Sequence, residues 1–426
     1  MKTVIMAGGK GTRISELFPD IPKPLIPIDG VPVLEREIIS LRDQGFKDII
    51  LTISHMADQI IEYFGNGERL GVSIEYFVEE IPLGNAGALF KLNLTEPFLL
   101  LNADAIFDVD FNRMVEFHNK HNALVTLFTH PNSHPYDSGL IVADDKKRVQ
   151  QWLAKEDERP LYYKNRVNAG LHVIDPKVLK MSEINADEVG TVKDGKVIKV
   201  DLDRQILKPL CGTATMYCYD SPEYVKDMGT PERFKSVEED YIKGVVKAKN
   251  LSKKQKAIFL DRDGTINKYV GFLRKKEELE LLPGVADAIK NINKSGYLAV
   301  LITNQPVIAR GEVTWEGLEE IHNKMETELG KQGAYIDGIY FCPHHPHKGY
   351  EGEIPELKFE CGCRKPKPGM FFKAAEELNI SLEDSYMIGD GDNDVIAGKA
   401  AGCKKSIKID EGGLLEAVNG ILYDNN

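Results

Sequence analysis

The sequence predicts an α/β protein of two domains. Three observations carry that expectation. Short apolar runs alternate with stretches of helical periodicity through most of the 426 residues, glycine-rich or acidic turns follow the apolar runs, and a lysine-rich polar stretch at 247–256 interrupts the pattern. The expected division is a first domain over 1–240, a linker over 241–255 and a second domain over 256–426, each domain long enough to bury its own core. In such folds, sites gather at the carboxyl ends of strands.

Composition narrows the function. With 42% apolar and 28% charged residues the chain reads as soluble and globular, and a net charge of −12 argues against a nucleic-acid surface, which needs clustered Lys and Arg. The N-terminal run lacks the long apolar segment of a signal peptide or membrane span, so a cytoplasmic location without membrane contact is expected. Six cysteines are too few for a disulfide scaffold, and three of them crowd between Cys342 and Cys363, which suggests a metal. Oligomeric state is left open by the sequence.

In the first domain, an expected strand at 2–6 runs into Ala7-Gly8-Gly9-Lys10-Gly11-Thr12-Arg13. Glycines there free backbone N–H groups to cradle phosphates, and a following helix adds its positive end. Pro22 and Pro24 hold Lys23 in a stiff extended segment. A helix is expected at 34–44, strands at 48–53 and 124–128, and helix again from 231 to about 249, around a mainly parallel sheet.

GGxGTR followed by PKPL resembles the sugar-phosphate nucleotidyltransferase family. The resemblance continues in order through Pro82-Leu83-Gly84-Asn85-Ala86-Gly87-Ala88, LLLNAD ending at Asp104, Asn168-Ala169-Gly170, and Asp227-Met228-Gly229-Thr230-Pro231. It implies a Rossmann-like mixed sheet in which Ala7, Gly8, Gly9, Gly11, Thr12, Gly84, Asn85, Ala86 and Gly87 bind the nucleotide. Arg13 and Lys23 would hold the phosphates as catalytic residues, Asp104 and Asp227 would bind Mg²⁺, and Lys155, Asn168 and Gly170 would contact the sugar. A sugar 1-phosphate oxygen would attack the α-phosphorus of a nucleoside triphosphate, with positioning and charge neutralisation lowering the barrier. Two departures concern the loop, where Asn85 stands for the usual Thr, and the sugar segment, where Ala154-Lys155-Glu156 stands for Glu-Lys-Pro.

The second domain opens on an apolar run ending in Asp261-Arg262-Asp263-Gly264-Thr265. A carboxylate at Asp261 can attack phosphorus, and Asp263 can give a proton to the leaving oxygen and take one from water. Further expected strand ends carry Thr303-Asn304-Gln305, the segment with Lys365, and the acidic run Gly389-Asp390-Gly391-Asp392-Asn393-Asp394. In that order they resemble the haloacid dehalogenase-like phosphatases. The resemblance makes Asp261 the nucleophile and Asp263 the acid/base, has Asp261, the Asp263 carbonyl and Asp390 hold Mg²⁺, and has Thr303 and Lys365 hold phosphate.

Cys342, His344, Cys361 and Cys363 form the ligand set of a structural Zn²⁺ site, with His345 and His347 as further candidates. The Pro- and Gly-bearing loop between them has little prospect of a core, so a metal would pin it. CPHHP, CxCRKPKPGM and TNQxxIARG together resemble the heptose-bisphosphate phosphatases. Asn304, Gln305, Arg310 and Arg364 then join the substrate contacts, the arginines at a second phosphate. Histidinol-phosphate phosphatases share the zinc loop, but Ile308-Ala309-Arg310-Gly311 points to the heptose branch, with Pro306-Val307 departing from its usual Ser-Gly. As a whole the chain resembles bifunctional enzymes of nucleotide-activated heptose synthesis. The implied partners are heptose bisphosphate, heptose 1-phosphate and GTP, and the implied product is the GDP derivative of the α anomer. The alternatives are the same chemistry on mannose 1-phosphate, a histidinol-phosphate phosphatase joined to a sugar nucleotidyltransferase, and a non-catalytic sensor, the last opposed by the intact Asp261, Asp263, Lys365 and Asp390.

Overall fold

A computed structural model describes residues 1–9, 13–14 and 16–423. The chain separates into two compact units. The first comprises Met1–Thr129, Ile141–Trp152 and Asn168–Lys247; the second comprises His130–Leu140, Leu153–Val167 and Ala248–Asn426.

The first unit is built on a mixed sheet. Its central strand β1 (Thr3–Met6) is parallel to β2 (Asp48–Ile53) on one side and to β3 (Phe98–Asn102) on the other. Val4 and Ile5 are fully buried on opposite faces, which is why this strand reads as an unbroken apolar run rather than an alternation. A further strand, β4 (Val167–Ile174), runs antiparallel to β3, so the sheet is mixed, as the nucleotidyltransferase resemblance implied. Helix α1 (Val33–Asp43) buries Val33, Leu34, Ile38 and Leu41, one apolar stripe at helical spacing. The register pairs Met6 with both Thr52 and Asn102, so the carboxyl ends of β1, β2 and β3 share one edge. A separate ribbon pairs β5 (Ala105–Asp108) with β6 (Tyr224–Asp227), Asp227 lying opposite Ala105 and the Met228 amide donating to the Asp104 carbonyl at 3.0 Å. Two aspartates remote in sequence thereby become neighbours.

The second unit holds a five-stranded parallel sheet. Strand β7 (Lys256–Leu260) lies at its centre, β8 (Tyr297–Asn304) and β9 (Gly338–Cys342) extend to one side, and β10 (Tyr386–Gly389) and β11 (Lys405–Lys408) extend to the other. The chain reverses its direction of travel across the sheet at β7. A crevice forms where strand order reverses, at the carboxyl ends of β7 and β10. Asp261 follows β7 and Asp390 follows β10.

The segment expected as a linker has both exposed residues, such as Ser252, Lys253 and Lys254, and buried ones. The expected helix 231–249 is divided into α2 (Pro231–Ile242) and a short turn of helix, Val245–Ala248, separated at Gly244 with φ +75°. Beyond it Lys249 and Gln255 are buried, because each has partners inside. Lys249 forms an ion pair with the fully buried Asp337 at 3.7 Å, and the Gln255 side-chain amide donates to the Asn250 carbonyl at 2.6 Å. Removing one member of a buried pair strands the other charge. Lys249→Met is expected to lower stability by about 3 kcal/mol in urea unfolding, with Lys249→Met/Asp337→Leu recovering most of the loss; equal losses in both variants would show that the pair's charge is not the cause.

Candidate functional sites

In the first unit, the shared strand edge opens on a cleft of about 670 Å³. It brings together Ala7, Gly8, Gly9, Arg13, Lys23, Gly84, Asn85, Ala86 and Asp104 from the sequence-predicted set. Gly11 and Thr12 lie outside the described residues. The Lys23 ammonium donates to Asp104 Oδ2 at 2.6 Å. Asp227 accepts from the Gly229 amide at 2.9 Å and from Arg233 Nη1 at 2.7 Å. Burial pushes its carboxyl up, but these donors and the Arg233 and Lys23 charges outweigh burial and hold it below the usual carboxylate range. Asp104 lies in the turn before β5 and Asp227 ends the paired β6, and two such carboxylates offer the oxygen ligands that Mg²⁺ takes.

Gly84, at φ +89°, packs so closely on Val200 that any Cβ would overlap the Val200 carbonyl. Asn85 Oδ1 accepts from the Leu202 amide at 2.8 Å, so this asparagine ties the loop to the following segment. Gly87 is buried under the loop, against Leu83 and Val189, and is not among the cleft-lining residues. Glu79 and Lys199 do line the cleft although no motif singled them out. Glu79 accepts from the Leu83 amide at 3.1 Å, and Lys199 arrives beside Val200 after a hairpin that turns at Asp194-Gly195, both at positive φ; that Asp-Gly pair was the signal in the sequence for the hairpin.

Of the sugar segment, Lys155 lies in an exposed turn closed by the Ala154 amide donating to Asp157 Oδ2 at 2.8 Å, within the Leu153–Val167 segment of the second unit. Asn168 and Gly170 belong to the first unit and are not among the residues that line its cleft. The Asn168 side-chain carbonyl accepts from His172 Nε2 at 3.1 Å, and Gly170, at φ +76°, lies against Asn102, which does reach the cleft.

In the second unit, Lys365 is 3% exposed and centres the site. Its ammonium reaches Asp261 Oδ1 at 2.7 Å, Asp394 Oδ1 at 2.6 Å and the Ile302 carbonyl at 2.7 Å. Asp261, Asp390 and Asp394 each offer an oxygen within 4.8 Å of the others. Burial pushes the Asp261 carboxyl up to about 6 against the pull of Lys365, with Asp394 adding to the rise, and burial followed by Asp394 raises Asp390. One lysine among three crowded carboxylates leaves negative charge uncompensated, and a divalent cation fits that need. Asp394 was missed as a site residue; the signal was its place in the acidic run that opens helix α3 (Asp392–Ala401). Gly264, at φ +85°, admits the Asp390 carboxylate where a Cβ would collide with it. The Asp263 side chain is directed to Arg262 rather than to the three-carboxylate cluster.

The predicted substrate contacts divide into two kinds. Thr303 is buried and accepts from Gln305 Nε2 at 2.9 Å. Asn304 and Lys365 exchange two bonds, each at 3.0 Å, through the Asn304 amide group and the Lys365 backbone, so Asn304 holds the lysine in place. Arg310 is stacked between the Phe272 and Tyr350 rings at 4.1 and 4.3 Å and paired with Glu312 at 2.6 Å. Arg364 donates to the His344 carbonyl at 3.4 Å.

Cys342, His344, Cys361 and Cys363 converge with their ligand atoms within 4.8 Å of one another. Bonding from Cys342 pulls the Cys363 thiol down to about 5 against burial, and Cys342 is raised in return. Three sulfurs and an imidazole in one partly buried knot match a closed Zn²⁺ donor set. His345 turns to the His347 carbonyl at 3.1 Å, and neither of these histidines joins the knot.

The chain matches the nucleotidyl transferase family model over residues 2–244 and the haloacid dehalogenase-like hydrolase model over 217–402. It is 40% identical over 162 residues to the D-glycero-beta-D-manno-heptose-1,7-bisphosphate 7-phosphatase of Escherichia coli O6:H1, covering 38% of this chain and 83% of that protein. The protein of the same name from Vibrio cholerae is 42% identical over 156 residues, 37% of this chain and 82% of its own length. A crystal structure of HddC from Yersinia pseudotuberculosis is similar over 56% of this chain and 99% of its own, at 23% identity and a TM-score of 0.46. Among the described residues no helix is long and apolar enough to cross a membrane. With a glycine-lined cleft in one unit and a cluster of carboxylates around one buried lysine in the other, the chain is a two-domain enzyme that belongs to the nucleotidyl transferase family and to the family of the D-glycero-β-D-manno-heptose-1,7-bisphosphate 7-phosphatases.

Proposed function

We propose that the two units catalyse consecutive cytoplasmic steps: removal of the 7-phosphate from D-glycero-D-manno-heptose 1,7-bisphosphate, then transfer of GMP from GTP to the resulting heptose 1-phosphate, with release of pyrophosphate. The observation that carries this reading is the Asp261–Lys365–Asp394 cluster, intact in a region 40% identical to heptose-bisphosphate phosphatases and joined to a sugar nucleotidyl transferase unit. The product of the first reaction has the chemistry required of the acceptor in the second. Guanine is supported by the likeness of the glycine-rich start to guanylyl enzymes.

In the phosphatase, Asp261 attacks phosphorus and the sugar oxygen leaves with the bond electrons, taking a proton from Asp263. Water then attacks the aspartyl-phosphate, gives its proton to Asp263, and the Asp261 carboxylate departs. Lys365, held by Asn304, neutralises the phosphoryl oxygens. Mg²⁺, which Asp261, Asp390 and Asp394 would hold, supplies charge neutralisation for the phosphoryl group. Arg310, stacked between two rings, and Arg364 would contact the far phosphate. In the transferase, Gly8 and Gly9 would lie against the triphosphate, Arg13 and Lys23 would offset its charge, and Asp104 and Asp227 would hold a second Mg²⁺. Zinc at the Cys–His knot would fix the 343–360 loop.

With Mg²⁺ and GTP, the α anomer of the bisphosphate is expected to yield phosphate first and then pyrophosphate with GDP-heptose. The β anomer is compared because the curated relatives are named for it. Nucleotide product from mannose 1-phosphate in preference to heptose 1-phosphate would overturn the sugar assignment. Asp261→Asn should lower phosphate release by at least about 10³-fold, while pyrophosphate release from added heptose 1-phosphate stays within about twofold; loss of both in a folded variant would refute separate sites. Elemental analysis should find about one zinc per chain, and Cys361→Ser should lose it and open the 343–360 loop to protease. A zinc-free native protein with a protected loop would refute the metal knot.

A further inference from the structure

Between the nucleophile and the acid/base of the phosphatase site stands Arg262, a fully buried residue and one of the largest such side chains in the protein. Its guanidinium bends back along its own chain. Nε donates to Asp263 Oδ1 at 3.2 Å, and Nη2 donates to Asp263 Oδ1 and Oδ2 at 3.1 and 2.9 Å. The same Nη2 also donates to Gln305 Oε1 at 2.9 Å, and Gln305 Nε2 donates to Asp263 Oδ2 at 3.0 Å. Asn267 Nδ2 adds a bond to Asp263 Oδ1 at 3.1 Å. On its far side, Arg262 Nη1 meets His322 Nε2 at 3.3 Å on helix α4 (Trp315–Lys331). Burial, and then the guanidinium itself, keep that ring neutral, so Nε2 accepts.

This is more than an arginine needs for burial. A guanidinium is always charged and must have a counter-ion inside a protein; here the counter-ion is the group that exchanges protons with the substrate. Every bond to the Asp263 carboxylate named above comes from a buried neighbour, and Arg262 supplies three of the five. We infer that Arg262, fixed from behind by His322 and laterally by Gln305, is the positioning residue that aims the Asp263 carboxyl for both proton transfers of the phosphatase reaction. The inference rests on the aspartyl-phosphate reading of this site.

The leaving group separates positioning from general structural support. A sugar oxygen leaves only with a proton, whereas 4-nitrophenolate leaves without one. With 4-nitrophenyl phosphate, misaligning Asp263 should spare the first release of nitrophenol and slow the second step, so that the phosphoryl adduct accumulates on Asp261. Full-length Arg262→Gln is expected to keep a first-turnover burst within about threefold of native, to lose about 10²-fold or more on heptose bisphosphate, and to show the adduct by intact mass. His322→Leu, which touches the site only through the guanidinium, should show the same pattern more weakly and decides the matter if Arg262→Gln does not fold. Equal losses on both substrates, or unchanged rates on both, would overturn the inference. Net inversion rather than retention of configuration at phosphorus, read in the native enzyme with an isotopically chiral phosphate ester, would instead overturn the aspartyl-phosphate reading beneath it, because two displacements give retention.

Discussion

The phosphatase unit is organised by one buried cation. Lys365 sits between Asp261 and Asp394, with the Ile302 carbonyl as its third partner, and a lysine so enclosed is held there by those contacts. Unpaired, its charge would be costly to bury; unpaired, so would be the carboxylates. The strand order then follows as a structural requirement: Asp261 ends the central strand, Asp394 opens the helix after its neighbour, and Lys365 must reach into the crevice between them. Asn304, at the end of the strand on the other side, fixes the lysine's backbone through two bonds. The site is therefore a property of three adjacent strand ends.

The transferase cleft solves a different problem with the same geometry. It must accept several negative phosphates, and its local charges are already partly spent: Lys23 on Asp104, Arg233 on Asp227. Glycines at the first strand end and at Gly84 let backbone come close to ligand or to neighbouring chain where a side chain would obstruct. Cleft shape depends on the contact between Gly84 and Val200, two positions far apart in sequence. Lys199 is carried into the cleft by that contact.

Polar side chains in both units act largely by holding other groups. Asn85 ties its loop to Leu202, Gln305 links Thr303, Arg262 and Asp263, and the rings of Phe272 and Tyr350 clamp Arg310. Phosphoryl transfer needs charge placed accurately rather than unusual reactivity, so much of the polar inventory is spent on orientation. The Cys–His knot has the same character, bringing together the two ends of a loop whose Ile354 and Leu357 pack against Val307, Ile308, Val313 and Leu318.

Much of this was legible in the sequence, and for a physical reason. Strand ends that bind phosphate require glycine, aspartate, lysine or a hydroxyl at fixed local spacing, and such spacing survives in the linear chain as DRDGT, GDGDND, PKPL or the clustered cysteines. The α/β class follows equally from local periodicity. Tertiary structure alone decided what depends on contacts between distant segments. It brought Lys199 and Glu79, which no motif singled out, to the transferase cleft. It added Asp394 to the carboxylates around Lys365 and turned the supposed linker lysine Lys249 inward to meet Asp337. A local motif states which groups a backbone turn can offer. Which of them find partners is set by burial, because only the folded chain determines where a charge is excluded from water and must be paired.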